Sequence, residues 1–143
     1  MVNNVSRVTL PPGYKPSNNE PFMCPLQLEY FRQRLMRWRS ELLQESSQTI
    51  LHLQEDTAAQ PDFADRASQE TERSLELRAR DRERKLISKI DEALLRIDDG
   101  SYGYCVETGE PITLQRLEAR PIATLSVDAQ ERHERREKAY RDD

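Results

Sequence analysis

A chain of 143 residues, 36% hydrophobic and 34% charged, is too polar for one compact globule of that length and suits long exposed helices with narrow apolar seams. Its net charge of −4 argues against sequence-specific DNA binding, because phosphate neutralisation needs a positive excess. No apolar run reaches the roughly 18 residues of a membrane span and no signal-peptide pattern follows Met1, so a cytoplasmic protein that acts through other proteins is expected.

Residues 1–25 carry Pro11, Pro12, Pro16 and Pro21 among Ser17, Asn18 and Asn19, which rules out a long helix there. Val2, Val5, Val8, Leu10 and Tyr14 are apolar enough for this segment to lie as an extended arm on a globular part. Pro25 suits the first position of a helix, where its missing N–H is not needed. From Leu26 to about Asp56 the residues Leu28, Phe31, Leu35, Trp38 and Leu42 recur at steps of three and four, and Ile50 and Leu53 resume the pattern. Glu29 and Arg32 form a supporting i, i+3 pair beside that seam.

Pro61 interrupts the periodicity, and a second helix is predicted from about Phe63 to Ile97, with its seam at Leu75, Leu86, Ile90, Leu94 and Ile97. Its middle, residues 78–85, is almost entirely charged, and Asp98, Asp99 and Gly100 end it. Two helices of matched length with a short Pro-containing turn predict an antiparallel coiled-coil hairpin over 26–98, with its tip at about 57–65. A small knuckle over 99–128 and a very polar C-terminal helix over 129–143 complete a mainly α architecture. Tyr102, Tyr104, Ile112, Leu114, Leu117, Ile122, Leu125 and Val127 are the candidate core of the knuckle.

That knuckle has the frame of a zinc finger without its ligands. Cys105, Thr108, Ser126 and Ala129 stand at the spacing of two C-x-x-C pairs, but a structural zinc needs four Cys or His donors. No metal is therefore expected; Thr108 and Ser126 can hydrogen-bond locally, and Ser126 can cap the last helix. Cys24 and Cys105 read as two ordinary thiols rather than a redox pair, and His52 and His133 as solvated helix residues. The four glycines form no phosphate loop, and the motifs of serine hydrolases, zinc proteases and kinases are missing, so the chain is not expected to be an enzyme.

The helix start "EYFRQRLMRWRSEL", the tip "PDFADRASQE", the run "SLELRARDRERKLISKI" and the knuckle "YGYC…RLEARP" together resemble the DksA family of bacterial transcription factors, from about residue 14 to the end. The resemblance implies a monomer that binds RNA polymerase, inserts the hairpin tip into its secondary channel and modulates initiation at selected promoters, rRNA promoters and stringent-response genes among them. Thr108, Ser126 and Ala129 place the chain among zinc-independent versions. An Asp-x-x-Asp-x-Ala tip motif of the family falls on Asp62, Asp65 and Ala67, and a polymerase-channel contact on Arg82. As sequence features alone, Asp62 serves equally as an N-cap and Asp65 as an acid favoured by the helix dipole.

The resemblance also implies ppGpp as an effector at the interface with the polymerase, its site falling on Leu86, Lys89 and Arg120, with Arg116 and Asp128 nearby. Convergent cations suit a pyrophosphate. A further basic position of the family is Gln130 here. Two other classes stay open. A Gre-type transcript-cleavage factor would use Asp62 and Asp65 to hold a second Mg²⁺, although the knuckle is unlike the Gre C-terminal domain; a plain coiled-coil adaptor would make no use of the tip motif.

Overall fold

The computed structural model describes residues 7–58 and 63–142, with side chains described outside 49, 52–65 and 142. It contains four helices in the order α1 (Pro25–Ala58), α2 (Phe63–Asp99), α3 (Leu114–Ala119) and α4 (Val127–Asp142). Among the described residues the only β-pairing is an isolated antiparallel bridge between Tyr104 and Pro111. The mainly α class and the helical hairpin are as expected. The chain divides into one unit of residues 1–35 and 92–143 and another of 36–91, so that α1 and α2 each run through both.

In the unit of 36–91, Arg39 on α1 donates to Asp91 on α2 at 2.7 Å. With α1 ending at Ala58 and α2 starting at Phe63, a contact so far from the connection requires antiparallel helices. Leu42 and Ile90 are buried, and Trp38, Ile50, Leu86 and Ile87 are half-buried. One seam expectation fails: Leu75 is 58% exposed. Counting back from Ile97 and Ile90 in coiled-coil steps of three and four reaches Ile87, Glu83, Arg80, Glu76 and Arg73, all half-buried. Spacing from Leu86 alone favours Leu75, but a seven-residue repeat brings Glu76 to the inner face. The inner face here is polar, and Leu75 and Leu77 point outward.

In the unit of 1–35 and 92–143 the core is largely apolar. Phe31, Leu35, Ala93 and Leu117 have no exposure, and Ile97, Tyr102 and Ile112 almost none. The Phe31 and Tyr102 rings lie 5.6 Å apart, and the buried Tyr102 hydroxyl donates to the Pro121 carbonyl at 2.7 Å, as a buried phenol requires. α2 ends in a reversal at Gly100, φ 84°, with the Ser101 N–H reaching back to the Arg96 carbonyl at 3.0 Å, the six-to-one bond of a glycine-terminated helix.

The arm before α1 is anchored by side chains the periodicity does not reveal. Gln27 is completely buried; its Oε1 accepts from the Met23 N–H at 2.8 Å and its Nε2 donates to the Ser17 carbonyl at 3.1 Å. The Tyr14 hydroxyl donates to Glu20 at 2.7 Å, and its ring meets Tyr30 edge-on. Burial, reinforced by the Glu20 carboxylate, pushes the Tyr14 phenol well above its ordinary range. Phe22 meets Tyr104 edge-on at 5.4 Å, and Met23 lies so close to Gly103, φ 91°, that a Cβ there would be 3.0 Å from Met23 Cγ. The expected Glu29–Arg32 pair forms at 2.7 Å; its hydrogen bonds hold the nearly buried Glu29 carboxyl below the usual range. Val2 and Val5 lie outside the described residues.

Candidate functional site

The knuckle is a tight turn closed by backbone. The Cys105 N–H donates to the Glu110 carbonyl and the Gly109 N–H returns to the Cys105 carbonyl, both at 2.8 Å. The Ile112 N–H reaches Gly103, and the Val106 N–H joins this turn to Thr124 at 2.9 Å. Ile112, Leu114, Leu117 and Ile122 fill the interior as expected. Tyr104 and Val127 do not: they are 37% and 49% exposed. Tyr104 covers Phe22 from outside, and the inward place at the start of α4 belongs to Ala129, which has no exposure.

Each of the four finger positions has a local use. Cys105 is buried. Burial alone would raise its thiol, but hydrogen bonds from the Thr108 hydroxyl and from the N–H groups of Ser126, Thr108 and Glu107 outweigh it and bring it down to about 6. The Thr108 oxygen accepts from the Glu110 N–H at 3.2 Å. The Ser126 oxygen accepts from the Ala129 N–H at 3.2 Å and so caps α4. Ala129 is a small core residue with no donor atom.

The α3 helix carries two of the expected arginines. It has six residues, too few to persist alone. Thr113 caps its start by accepting from the Arg116 N–H at 3.3 Å, and Leu114 and Leu117 anchor its buried side. The Arg116 side chain is half-buried and its Nε donates to the Leu125 carbonyl at 2.9 Å. Arg120 is the C-cap: its N–H donates to Arg116 and its carbonyl accepts from Ala123, while its side chain is exposed. Asp128 is exposed in the first turn of α4. Gln130 donates to Glu134 at 3.1 Å. These residues belong to the unit of 1–35 and 92–143, whereas half-buried Leu86 and exposed Lys89 and Arg82 lie on α2 in the unit of 36–91.

Of the tip motif, Asp62 lies outside the described residues. Asp65 falls in the first turn of α2, its side chain likewise outside, and Ala67 is exposed, its carbonyl accepting from the Thr71 hydroxyl at 3.2 Å. Two functional-region residues carry no sequence signal: Tyr30 and Arg34 on α1 reach Glu118 of α3, with Arg34 Nη1 donating to the Glu118 carbonyl at 2.8 Å. Periodicity marks both only as flanking helix positions, and the contact joins residues far apart in sequence.

Among the described residues, no helix is long and apolar enough to cross a membrane, and no group of three or more His, Cys, Asp or Glu residues could hold a metal ion. Two family models match the chain in succession: the N-terminal domain of the DnaK suppressor protein DksA over residues 27–97, and the prokaryotic dksA/traR C4-type zinc finger over 100–135. A C4-type finger implies four thiolates around zinc. The residues here do not fit that ion, because Cys105 is the one thiolate, both hydroxyl oxygens already accept backbone N–H groups, and Ala129 offers nothing.

The RNA polymerase-binding transcription factor DksA of Caulobacter vibrioides (strain NA1000 / CB15N) is 67% identical over 130 residues, spanning 91% of this chain and 92% of that protein. The protein of the same name from Escherichia coli (strain K12) is 47% identical over 125 residues, 87% of this chain and 83% of the other. The solved structure of transcription factor DksA2 from Pseudomonas aeruginosa superposes with a TM-score of 0.77 at 46% identity, covering 84% of this chain and 95% of that one. Hairpin helices and knuckle are thus matched together, in one order and over nearly the whole length, and the chain belongs to the DksA family.

Proposed function

We propose that this protein is a non-enzymatic, cytoplasmic regulator that binds bacterial RNA polymerase as a monomer, places its hairpin tip in the secondary channel, and adjusts initiation at selected promoters together with ppGpp. The observation that carries the reading is the relationship to named polymerase-binding transcription factors, at 67% identity over 130 residues that include both hairpin and knuckle. In this reading Asp62, Asp65 and Ala67 face the polymerase active centre. The two carboxylates perturb interactions around the catalytic Mg²⁺ or its mobile neighbours and do not hold a metal themselves. Arg82 contacts the channel. The effector residues are, by the family resemblance, Leu86, Lys89 and Arg120, with Arg116 and Asp128 as further candidates; exposed Lys89 and Arg120 are each suited to a pyrophosphate.

The protein works without zinc in this reading. Support comes from the Thr108 and Ser126 hydrogen bonds and from Ala129 in the core. A structural zinc can contribute about 10–16 kcal/mol to a small fold; here the buried Tyr102, Ile112, Leu114, Leu117 and Ile122 stand in for it.

In vitro transcription from a stringently controlled promoter, with and without ppGpp, tests the regulatory reading. Asp62→Asn or Asp65→Asn should abolish the promoter effect and leave polymerase binding largely intact; binding lost in parallel would remove the separation of roles. Metal analysis of the purified protein and its melting curve in EDTA test the zinc reading. The expected result is no bound zinc and an unchanged curve.

A further inference from the structure

The short α3 helix has to hold Arg116 and Arg120 in place, yet it lacks the length to do so by itself. Its first turn is secured by the Thr113 cap. Its last turn leaves carbonyls without intrahelical partners, as every helix end does. The Arg116 carbonyl is taken by the Arg120 N–H. The Glu118 carbonyl receives Arg34 Nη1 at 2.8 Å, from α1.

Arg34 is itself held. Its guanidinium lies 5.8 Å from the centre of the Tyr30 ring, a cation–π distance. Burial raises the Tyr30 phenol, the Glu118 carboxylate adds to that rise and Arg34 opposes it, so the three groups share one environment. Tyr30 is in turn braced by Phe31 at 5.2 Å and Tyr14 at 6.1 Å, both edge-on. Phe31 is fully buried. A rigid helix therefore reaches the end of a weak one through a planar, half-buried cation. Arg120 follows immediately, its backbone fixed on both sides by hydrogen bonds while its side chain remains exposed.

We propose that Arg34 is a positioning residue for the effector site, fixing the end of α3 so that Arg120 presents its guanidinium to the pyrophosphate. The inference rests on the assignment of Arg120 to ppGpp binding made above. Arg34 does not touch the ligand; it acts through the Glu118 carbonyl on the residue two places further on.

The test is ppGpp titration of promoter-specific transcription by the full-length protein with RNA polymerase, for Arg34→Ala, Arg34→Lys, Arg120→Ala and the Arg34→Ala/Arg120→Ala double variant. Arg34→Ala should raise the half-maximal ppGpp concentration by about fivefold to tenfold, the size of one net hydrogen bond. Arg34→Lys, which keeps a donor but loses the planar fork, should fall between it and the parent. The double variant should respond no worse than Arg120→Ala alone, since the two residues act in series. A shift with Arg120→Ala but none with Arg34→Ala, or additive losses in the double variant, overturns the positioning role alone. An unchanged response with Arg120→Ala overturns the effector assignment and the inference with it. Where Arg34→Ala unfolds the protein, Arg34→Lys decides: no shift in a folded Arg34→Lys overturns the proposal.

Discussion

In the unit of residues 1–35 and 92–143, Phe31, Leu35, Ile112 and Leu117 are at most 1% exposed. In the unit of 36–91, Leu42 and Ile90 are the buried positions among the described residues, and the inward positions of α2 from Arg73 to Glu83 are charged or polar. Both units contain long stretches of the same two helices. The difference teaches that a continuous helix can be rigidly packed along one stretch and held along another by sparse contacts and surface pairs. Local opening energies follow buried apolar contacts, so the second unit should be the more easily opened.

The comparison breaks most visibly at Phe31. Phe31→Ala removes an unexposed ring that meets both Tyr30 and Tyr102, and should cost about 3–5 kcal/mol, read as a large fall in melting temperature with loss of near-ultraviolet ellipticity. A fall of only a degree or two would mean that this unit is not the packed one. Within the other unit, Leu42→Ala should cost about 2–3 kcal/mol. Leu75→Ala should cost less than about 0.5 kcal/mol, because Leu75 is 58% exposed. Equal effects in chemical denaturation would return Leu75 to the seam.

A gain in stability would sharpen the same contrast. Glu83 stands on the inner face of α2, and one of its carboxylate oxygens is buried without a hydrogen bond. Replacing such a group by an apolar one of similar size relieves its desolvation cost. Glu83→Leu should therefore stabilise the hairpin by about 1 kcal/mol, with slower amide exchange confined to residues 36–91. Faster exchange would show that the acid has a favourable role the static contacts do not explain.

Much of this was legible in the sequence, for identifiable reasons. The helices announce themselves through Phe31, Leu35, Leu42, Ile90 and Ile97, all of which are buried. Glu29–Arg32 is local, and its geometry follows from helix spacing alone. Leu75 looks like a seam residue from its apolar character, but the helix keeps its heptad through charged residues and leaves it exposed. Gln27 and Arg34 could not be found at all: each is a polar side chain on a helix whose partner, Ser17 or Glu118, lies on another segment. Hydrophobic patterns do not encode such links. Of the site, the finger frame and its missing ligands were visible from spacing, while the place of Ala129 in the core was not, since alanine suits surface and interior equally.

The smallest expected effects divide the two hydroxyls of the knuckle. Ser126 contributes its oxygen to the Ala129 N–H and its own N–H to the Cys105 sulfur. Ser126→Ala removes only the cap, so it should cost about 1 kcal/mol and leave the thiol midpoint near 6. Thr108 donates its hydroxyl to the same sulfur, and that bond is the largest of the influences lowering the thiol. Thr108→Val should therefore move the midpoint up toward the ordinary value of about 8.5, followed by thiolate absorbance. The sign of the coupling to stability is fixed. A thiol lowered in the folded state favours folding once it ionises, so its contribution grows above about pH 6, is complete above the unfolded value, and disappears as the pH falls through 6. Thr108→Val should thus be more harmful at pH 9 than at pH 5, whereas Ser126→Ala should cost the same at both. If both variants showed the same pH dependence, the thiolate would not be held by Thr108, and the hydroxyl would serve the Glu110 turn alone.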